Sequence, residues 1–267
     1  MEQGLIKQEF LRKYPYIEAD IISNNIDLDV LNDIYNDYNI YKETYERQSD
    51  FIANTLRTHN KIHSVKSRVK SSERLIDKIV RKTTDRKEKY GDDFQFSVEN
   101  YKEEINDLIG IRAIHIFKQD WESIHEFILN TWKVIEITAN VRDGDDTKRF
   151  KDLDIQIKSR PSGYRSVHYL IEFYPTNEKV IAEIQVRTIF EEGYGEIDHQ
   201  LRYSHKEIPE VLASNLLLFN RIAGSADEMA SLINLLNKNL CEMESSYEKK
   251  IASKDEEIRK LKEKLKE

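Results

Sequence analysis

The chain has 267 residues, enough for one large domain or one domain with an appendage. A net charge of -7 with 34% charged residues excludes a surface that is basic throughout and points to long solvated helices. The single cysteine, Cys241, excludes an intrachain disulfide and a cysteine zinc cluster, and with no apolar run of membrane-span length and no signal-peptide pattern a cytoplasmic enzyme or binding protein is expected.

Residues 1–60 carry tyrosines and isoleucines at mixed helical spacing, with Asp27 or Asp29 able to cap a short helix and a longer helix expected from about Glu43 to His63. A second, basic helix is expected over roughly Val65 to Tyr90, with Ser71 and Ser72 inside it and Leu75 and Ile79 on its apolar stripe; Gly91-Asp92-Asp93 ends it. Its cations, from Lys61 to Lys89, read as an anion-binding face in an otherwise acidic protein. From Leu108 the pattern becomes strand, helix, strand: Ile109–Phe117, Trp121–Trp132 and Lys133–Asn140. After the charged loop 142–146, strands are expected near Asp154–Ile157, Ser166–Tyr174 and Lys179–Val186, the last two joined by the turn Pro175-Thr176-Asn177-Glu178. Helix returns over Phe190–Tyr203, and Pro209 suits the first turn of another. From Leu236, apolar residues recur at Leu240, Met243, Tyr247, Ile251, Ile258, Leu261 and Leu265, a heptad-like spacing with a stutter between Tyr247 and Ile251 and Lys254 on the seam. The tail reads as a helix pairing in a coiled coil, hence a homo-oligomer, or as a single solvated helix. The fold class is α+β, a mixed sheet flanked by helices, with a helical extension over 1–60, a core over 61–206 and C-terminal helices over 207–267.

The chemistry-bearing residues sit in the strands. Period-two alternation puts Asp107, Ile109 and Ile111 on one face, and Glu183, Gln185 and Arg187 on one face. Two acids on adjacent strands suit magnesium, which takes hard oxygen ligands and shares its shell with substrate phosphates. Alone, either acid reads as a strand-end residue or a helix cap. Arg68, Lys70 and Arg112 are candidate nucleotide contacts, since guanidinium binds phosphate and stacks on purines. Arg112 stands out inside an apolar strand, whereas Arg-Val-Lys usually marks a solvated face. Tyr164 follows Gly163, which allows close approach of backbone to ligand, and its ring could stack on a base or simply pack at a strand start. Lys158 and Arg160 lie just before it, and His168 and His199 offer phosphate or sugar contacts or plain structural hydrogen bonds. No Walker loop, protein-kinase signature or Gly-x-Ser-x-Gly elbow is present.

Five blocks together resemble the RelA/SpoT-type alarmone synthetases over roughly residues 60–206. They are Arg68-Val69-Lys70-Ser71-Ser72, Asp107-Leu108-Ile109-Gly110-Ile111-Arg112, Ser162-Gly163-Tyr164-Arg165-Ser166-Val167-His168, Glu183-Ile184-Gln185-Val186-Arg187-Thr188, and Glu196-Ile197-Asp198-His199 with Leu201 and Tyr203. The resemblance implies a nucleotidyltransferase-like mixed sheet and transfer of the β,γ-pyrophosphate of ATP to the 3′-hydroxyl of GDP or GTP. By the same resemblance Asp107 and Glu183 bind Mg2+, with Glu183 also orienting or deprotonating the hydroxyl. Arg68 and Arg112 hold adenine, and Lys70 and Ser72 complete the ATP site. Lys158, Arg160, Tyr164, His168, Gln185, Arg187 and His199 surround the acceptor, Lys158 and Arg160 as phosphate contacts. The family's hydrolase domain would carry a His-Asp pair, and none occurs here. Phe190-Glu191-Glu192-Gly193-Tyr194-Gly195 replaces the tryptophan-containing stretch of housekeeping small synthetases and resembles toxin-type and phage-defence branches. That leaves the tRNA 3′ end or adenine nucleotides as alternative acceptors. A non-catalytic nucleotide sensor that assembles through its tail is the third reading.

Overall fold

The computed structural model describes residues 12, 14–175, 179–202 and 208–264. After α1 (Ile17–Ser23), the Asp27 carboxylate accepts from the Asp29 backbone N–H at 2.8 Å and starts α2, which runs unbroken over Leu28–Arg57. The two helices expected here are therefore one. Its stripe of Leu31, Ile34, Tyr38, Tyr45, Ile52 and Leu56 is buried at helical spacing.

The expected basic helix divides in two. Ser64–Val69 is strand β1, and helix α3 (Ser72–Tyr90) begins only after Ser71, whose hydroxyl caps it by accepting from the Arg74 N–H. Strand wins over Ser64–Val69 because Val65 faces the core while Lys66 and Arg68 alternate away from it, the period of a strand. Gly91 closes α3 at φ 107°, a conformation that favours glycine. A short α4 (Tyr101–Glu104) leads to β2 (Ile109–His115), α5 (Asp120–Thr131) and β3 (Lys133–Val141). A short helix α6 (Lys148–Asp152), absent from the sequence pattern, precedes β4 (Gln156–Ser159); β5 (Ser166–Phe173) and β6 (Val180–Thr188) follow. The turn expected at 175–178 lies largely outside the described residues, as do Tyr203 and Leu265. Two helices complete the chain, α7 (Ile189–Arg202) and α8 (Glu210–Lys264), the latter with Pro209 just before it.

The six strands form one mixed sheet in the order β1-β2-β6-β5-β3-β4, with β2–β6 and β3–β4 parallel and the other pairs antiparallel. Its two faces differ in kind. Ile109, Ile111, Ala182, Ile184, Val167, Tyr169 and Ala139 point to one side and are buried. There α5 packs through Trp121, whose Nε1 donates to the Tyr169 hydroxyl at 3.0 Å, and the apolar stripe of α2 joins the same core. Each such aliphatic side chain contributes about 1.5–3 kcal/mol on burial. The register aligns Lys66 with Arg112, Arg68 with Gly110, Gly110 with Glu183, Arg112 with Gln185, and Gln185 with His168. The opposite face is thus largely polar, with Leu170 beside Glu183 as an exception. No helix among the described residues is long and apolar enough to cross a membrane.

Helix α8 docks through Leu216, Asn220, Ala223 and Asp227. Asp227 is 1% exposed, and burial together with the Glu191 charge pushes its pKa up to about 7, opposed by Thr188 and by the Lys118 and Arg165 charges. The folded state therefore favours the protonated acid. Its penalty is absent below the unfolded carboxyl value, grows as pH rises from about 4 to about 7, and is complete above that. Asp227→Asn is expected to raise the melting temperature by several degrees at pH 8 and far less at pH 4.5; equal shifts at both pH values would refute an ionisation effect.

Candidate active site

Glu183 stands on β6 in the middle of the polar face. His168 Nδ1 lies 3.0 Å from its Oε1, and Gln185 Nε2 donates to its Oε2 at 2.6 Å. Burial alone would raise the carboxyl pKa, but the bonds from His168 and Gln185 and the His168 charge outweigh it and hold the group below the ordinary value. Tyr164 extends the line: its hydroxyl is 3.1 Å from His168 Nε2, and the two rings meet edge to face at 5.9 Å. The Arg187 guanidinium lies 5.2 Å from the Tyr164 ring centroid.

Asp107 reaches the site differently from the way alternation suggests. It precedes β2 rather than sharing a face with Ile109 and Ile111, which are buried in the core. The correction has a local cause: the strand pairing begins at Ile109, so its period does not extend back to Asp107. Lys70 Nζ sits 2.9 Å from Asp107 Oδ2, and Lys78 Nζ sits 2.7 Å from Oδ1. Burial raises the Asp107 pKa, yet the two ammonium charges prevail and bring it down to about 2. Asp107 and Glu183 also feel each other's charge, as they do that of Arg68.

Arg68 and Arg112 are neighbours on β1 and β2. Burial and the Arg112 charge lower the Arg68 pKa, and Arg68 makes no ion pair among the described residues. Gly110 opposite leaves it room: a Cβ there would touch Arg68 Nε at 3.5 Å. Arg112, by contrast, is held from α7, by Glu192 at 3.3 Å and by Glu196. Glu192 also takes Lys66 at 2.9 Å and Arg187 at 3.3 Å, so one buried carboxylate anchors three cations. Arg187 additionally donates to Gln185 and is 2% exposed, which makes it a support beneath Tyr164. Gly195 permits this packing, since a Cβ would come within 2.7 Å of Arg187 Nη1 and 3.6 Å of Tyr164 Cε2.

Other expected residues stand apart. Ser72 is buried and donates to Asn39 Oδ1 at 2.6 Å. Lys158 shares the polar face, but β4 is three strands from β6, about 14 Å across the sheet. Arg160 Nε donates to Asn140 Oδ1 at 2.6 Å. His199 instead lies among the site's arginines, within reach of the charges of Arg68, Arg74 and Arg112, and burial and the Arg68 charge lower its pKa. Gly163 serves the fold: at φ 78° its backbone turns beside Asn220, whose Nδ2 donates to the Gly163 carbonyl at 2.8 Å, and a Cβ would overlap that side chain at 2.8 Å. The basic stretch meets protein acids: Lys61 pairs with Asp120, Lys78 with Asp107, Arg81 with Asp77, Lys82 with Asp85 and Arg86 with Glu104. These pairs neutralise much of the basic face expected to bind anions.

Lys66 and Lys78, read from sequence only as part of a basic face, and Glu192 and Glu196, given no role there, belong to the site. Thr188-x-x-Glu191 was a usable signal. The Thr188 hydroxyl accepts from the Glu191 N–H at 3.1 Å while the Glu191 carboxylate accepts from the Thr188 N–H at 2.9 Å, a reciprocal cap. It fixes the start of α7 and puts Glu192 and Glu196, four apart, on one face.

The family model for the region found in RelA/SpoT proteins matches residues 67–208. GTP pyrophosphokinase YwaC of Bacillus subtilis (strain 168) is 30% identical over 181 residues, covering 66% of this chain and 75% of that protein. Among solved structures, small alarmone synthetase 1 from Bacillus subtilis superposes with a TM-score of 0.57 at 21% identity, covering 76% of this chain and 98% of that one. The same synthetase bound to its product pppGpp gives 0.56 at 20% identity, over 74% and 96%. At these identities the structural likenesses establish the shared fold.

Proposed function

The chain belongs to the RelA/SpoT family, and from that premise we propose that it is a GTP/GDP pyrophosphokinase, moving the β,γ-pyrophosphate of ATP to the 3′-hydroxyl of GDP or GTP. The observation that carries this reading is the line Tyr164–His168–Glu183, ending at an ionised carboxylate with Asp107 nearby. Stacking of a guanine on Tyr164 brings the acceptor sugar toward His168 and Glu183. The 3′-oxygen attacks the β-phosphorus of ATP, the bond from that phosphorus to the α-phosphate bridging oxygen breaks, and AMP leaves. The hydroxyl proton passes to Glu183, whose other contacts are already made by Gln185 and His168. Arg68 and Arg112 hold adenine, and Lys70 and Lys78 lie where phosphate charge accumulates.

Asp107 and Glu183 fit a divalent cation: both are half-buried oxygen donors whose carboxyl pKa values are held below the ordinary ones. They would hold Mg2+, which supplies charge neutralisation on the phosphates when bound. A cytoplasmic location follows from nucleotide substrates in this reading.

The pure protein with γ-labelled ATP and Mg2+ should transfer label to GDP or GTP in separate reactions. Label appearing only in ATP-derived products or only in bulk tRNA would overturn the guanine acceptor, and no transfer to any of the four would overturn the activity.

A further inference from the structure

The strongest unpartnered feature is the far part of α8. Beyond Asp227 it still touches the sheet domain at Glu228, 3.8 Å from Lys118 Nζ, and at the Ser231 carbonyl, which accepts from Gln119 Nε2 at 3.5 Å, but from Glu228 to Lys262 no residue is buried. That stretch is an arm of about 50 Å. Along it Met229, Ile233, Leu236, Leu240, Met243, Tyr247, Ile251, Ile258 and Leu261 are all exposed, between 47% and 62%. With Lys254 between Ile251 and Ile258 they form one seam at spacings of three and four, with the stutter between Tyr247 and Ile251. A solitary helix leaves such a seam in water, and a packing partner for the apolar face is what ordinarily stabilises it.

We propose that the arm pairs with the arm of a second copy of this chain, in parallel and in register, as a two-stranded coiled coil. The charges beside the seam select this occupant. With Ile251 and Ile258 at positions a, Lys254 and Leu261 fall at d, Lys250 and Glu257 at g, and Asp255 and Lys262 at e. In a parallel, in-register pair each g residue faces the e residue five positions on in the other copy. Lys250 then meets Asp255, and Glu257 meets Lys262, each twice by symmetry. Every one of these contacts joins opposite charges. Lys254 is the single charged seam residue, and its Nζ lies 2.8 Å from Glu257 Oε2 on the same helix, so its charge is held at the rim. One polar seam position of this kind favours a fixed register over sliding at some loss of stability. The pairing sets two catalytic bodies side by side at the same end of the arms, and it is independent of the activity proposed above.

The full chain should sediment with at least twice its monomer mass. Leu236→Glu with Leu240→Glu should lower that mass to the monomer without altering the circular dichroism of the sheet domain beyond the arm's own loss. Lys250→Glu with Glu257→Lys should weaken association at least tenfold, and adding Asp255→Lys with Lys262→Glu should restore it. In a Cys241→Ser background, Met243→Cys and Leu261→Cys should each give an oxidised homodimer. A monomeric wild-type chain, an assembly unchanged by the seam or charge variants, or cross-linking at only one of the two cysteine sites would overturn the proposal.

Discussion

Glu183→Gln is expected to lower pyrophosphate transfer by at least about 10³-fold, within the range for loss of a proton acceptor compounded by loss of a metal ligand, while the fold stays intact. The amide keeps the shape of the carboxylate. His168 and the Gln185 amide can reorient to satisfy it, because His168 can exchange tautomers and an amide can turn over. The loss should fall on kcat with acceptor KM little changed, since Tyr164 and His168 remain. Asp107→Asn has a different signature. It also abolishes turnover, but it leaves Lys70 and Lys78 facing each other in a largely buried site and lowers stability as well. The pH dependence separates the two roles further. Both carboxyl groups have depressed pKa values, Asp107 to about 2, so their contribution to stability is present above the unfolded values near 4 and disappears as pH falls through the folded ones. Urea melts of the wild type and both variants from pH 7 down to about pH 2 test the stability claim, and initial rates near neutral pH test the catalytic one. Glu183→Gln retaining more than a tenth of wild-type kcat would remove Glu183 from the chemistry.

Glu192→Ala should be the most destabilising single change in the site, by about 3–5 kcal/mol, because it strands buried cations without a counter-charge. Arg187 is the most affected, being 2% exposed with Glu192 as its carboxylate partner, whereas Lys66 has solvent to turn to. Released Arg187 no longer supports the Tyr164 ring and released Arg112 no longer holds its place beside Arg68, so KM should rise for both substrates. Glu191→Ala is the control next door. It removes the side-chain half of the reciprocal cap with Thr188 and also relieves the charge beside Asp227, so it should cost no more than about 1 kcal/mol. Equal losses from the two substitutions, by urea denaturation, would show that Glu192 is not the hub of the cluster.

Much of this was legible in the sequence, and the failures have physical causes. The runs Ile109–His115, Ser166–Phe173 and Val180–Thr188 alternate or are densely apolar, and each was found to within a residue or two. Ser64–Val69 was not, because an edge strand with one polar face offers only Val65 and Val69 against a background of lysine and arginine that also suits a helix. Glu183, Gln185 and Arg187 were grouped because period two sorts them to one face, whereas His168, on the neighbouring strand β5, joined them only through the family resemblance. Asp107 was found as a site residue for the wrong geometric reason, since its position is set by Lys70 and Lys78 from outside its own strand. The partners of Arg112 were missed because Glu192 and Glu196 arrive from a helix eighty residues on, and local pattern carries no record of that contact.

The passage from β6 to α7 has a consequence for motion. The strand ends at Thr188 and the helix begins at Ile189, with no loop between and the Thr188–Glu191 cap locking the corner. A hinge needs residues free to change their backbone angles, and this junction has none to give. Glu183, Gln185 and Arg187 on the strand and Glu192, Gly195 and Glu196 on the helix therefore travel as one rigid piece. The amide protons of β6 and α7 should therefore exchange with solvent together and late.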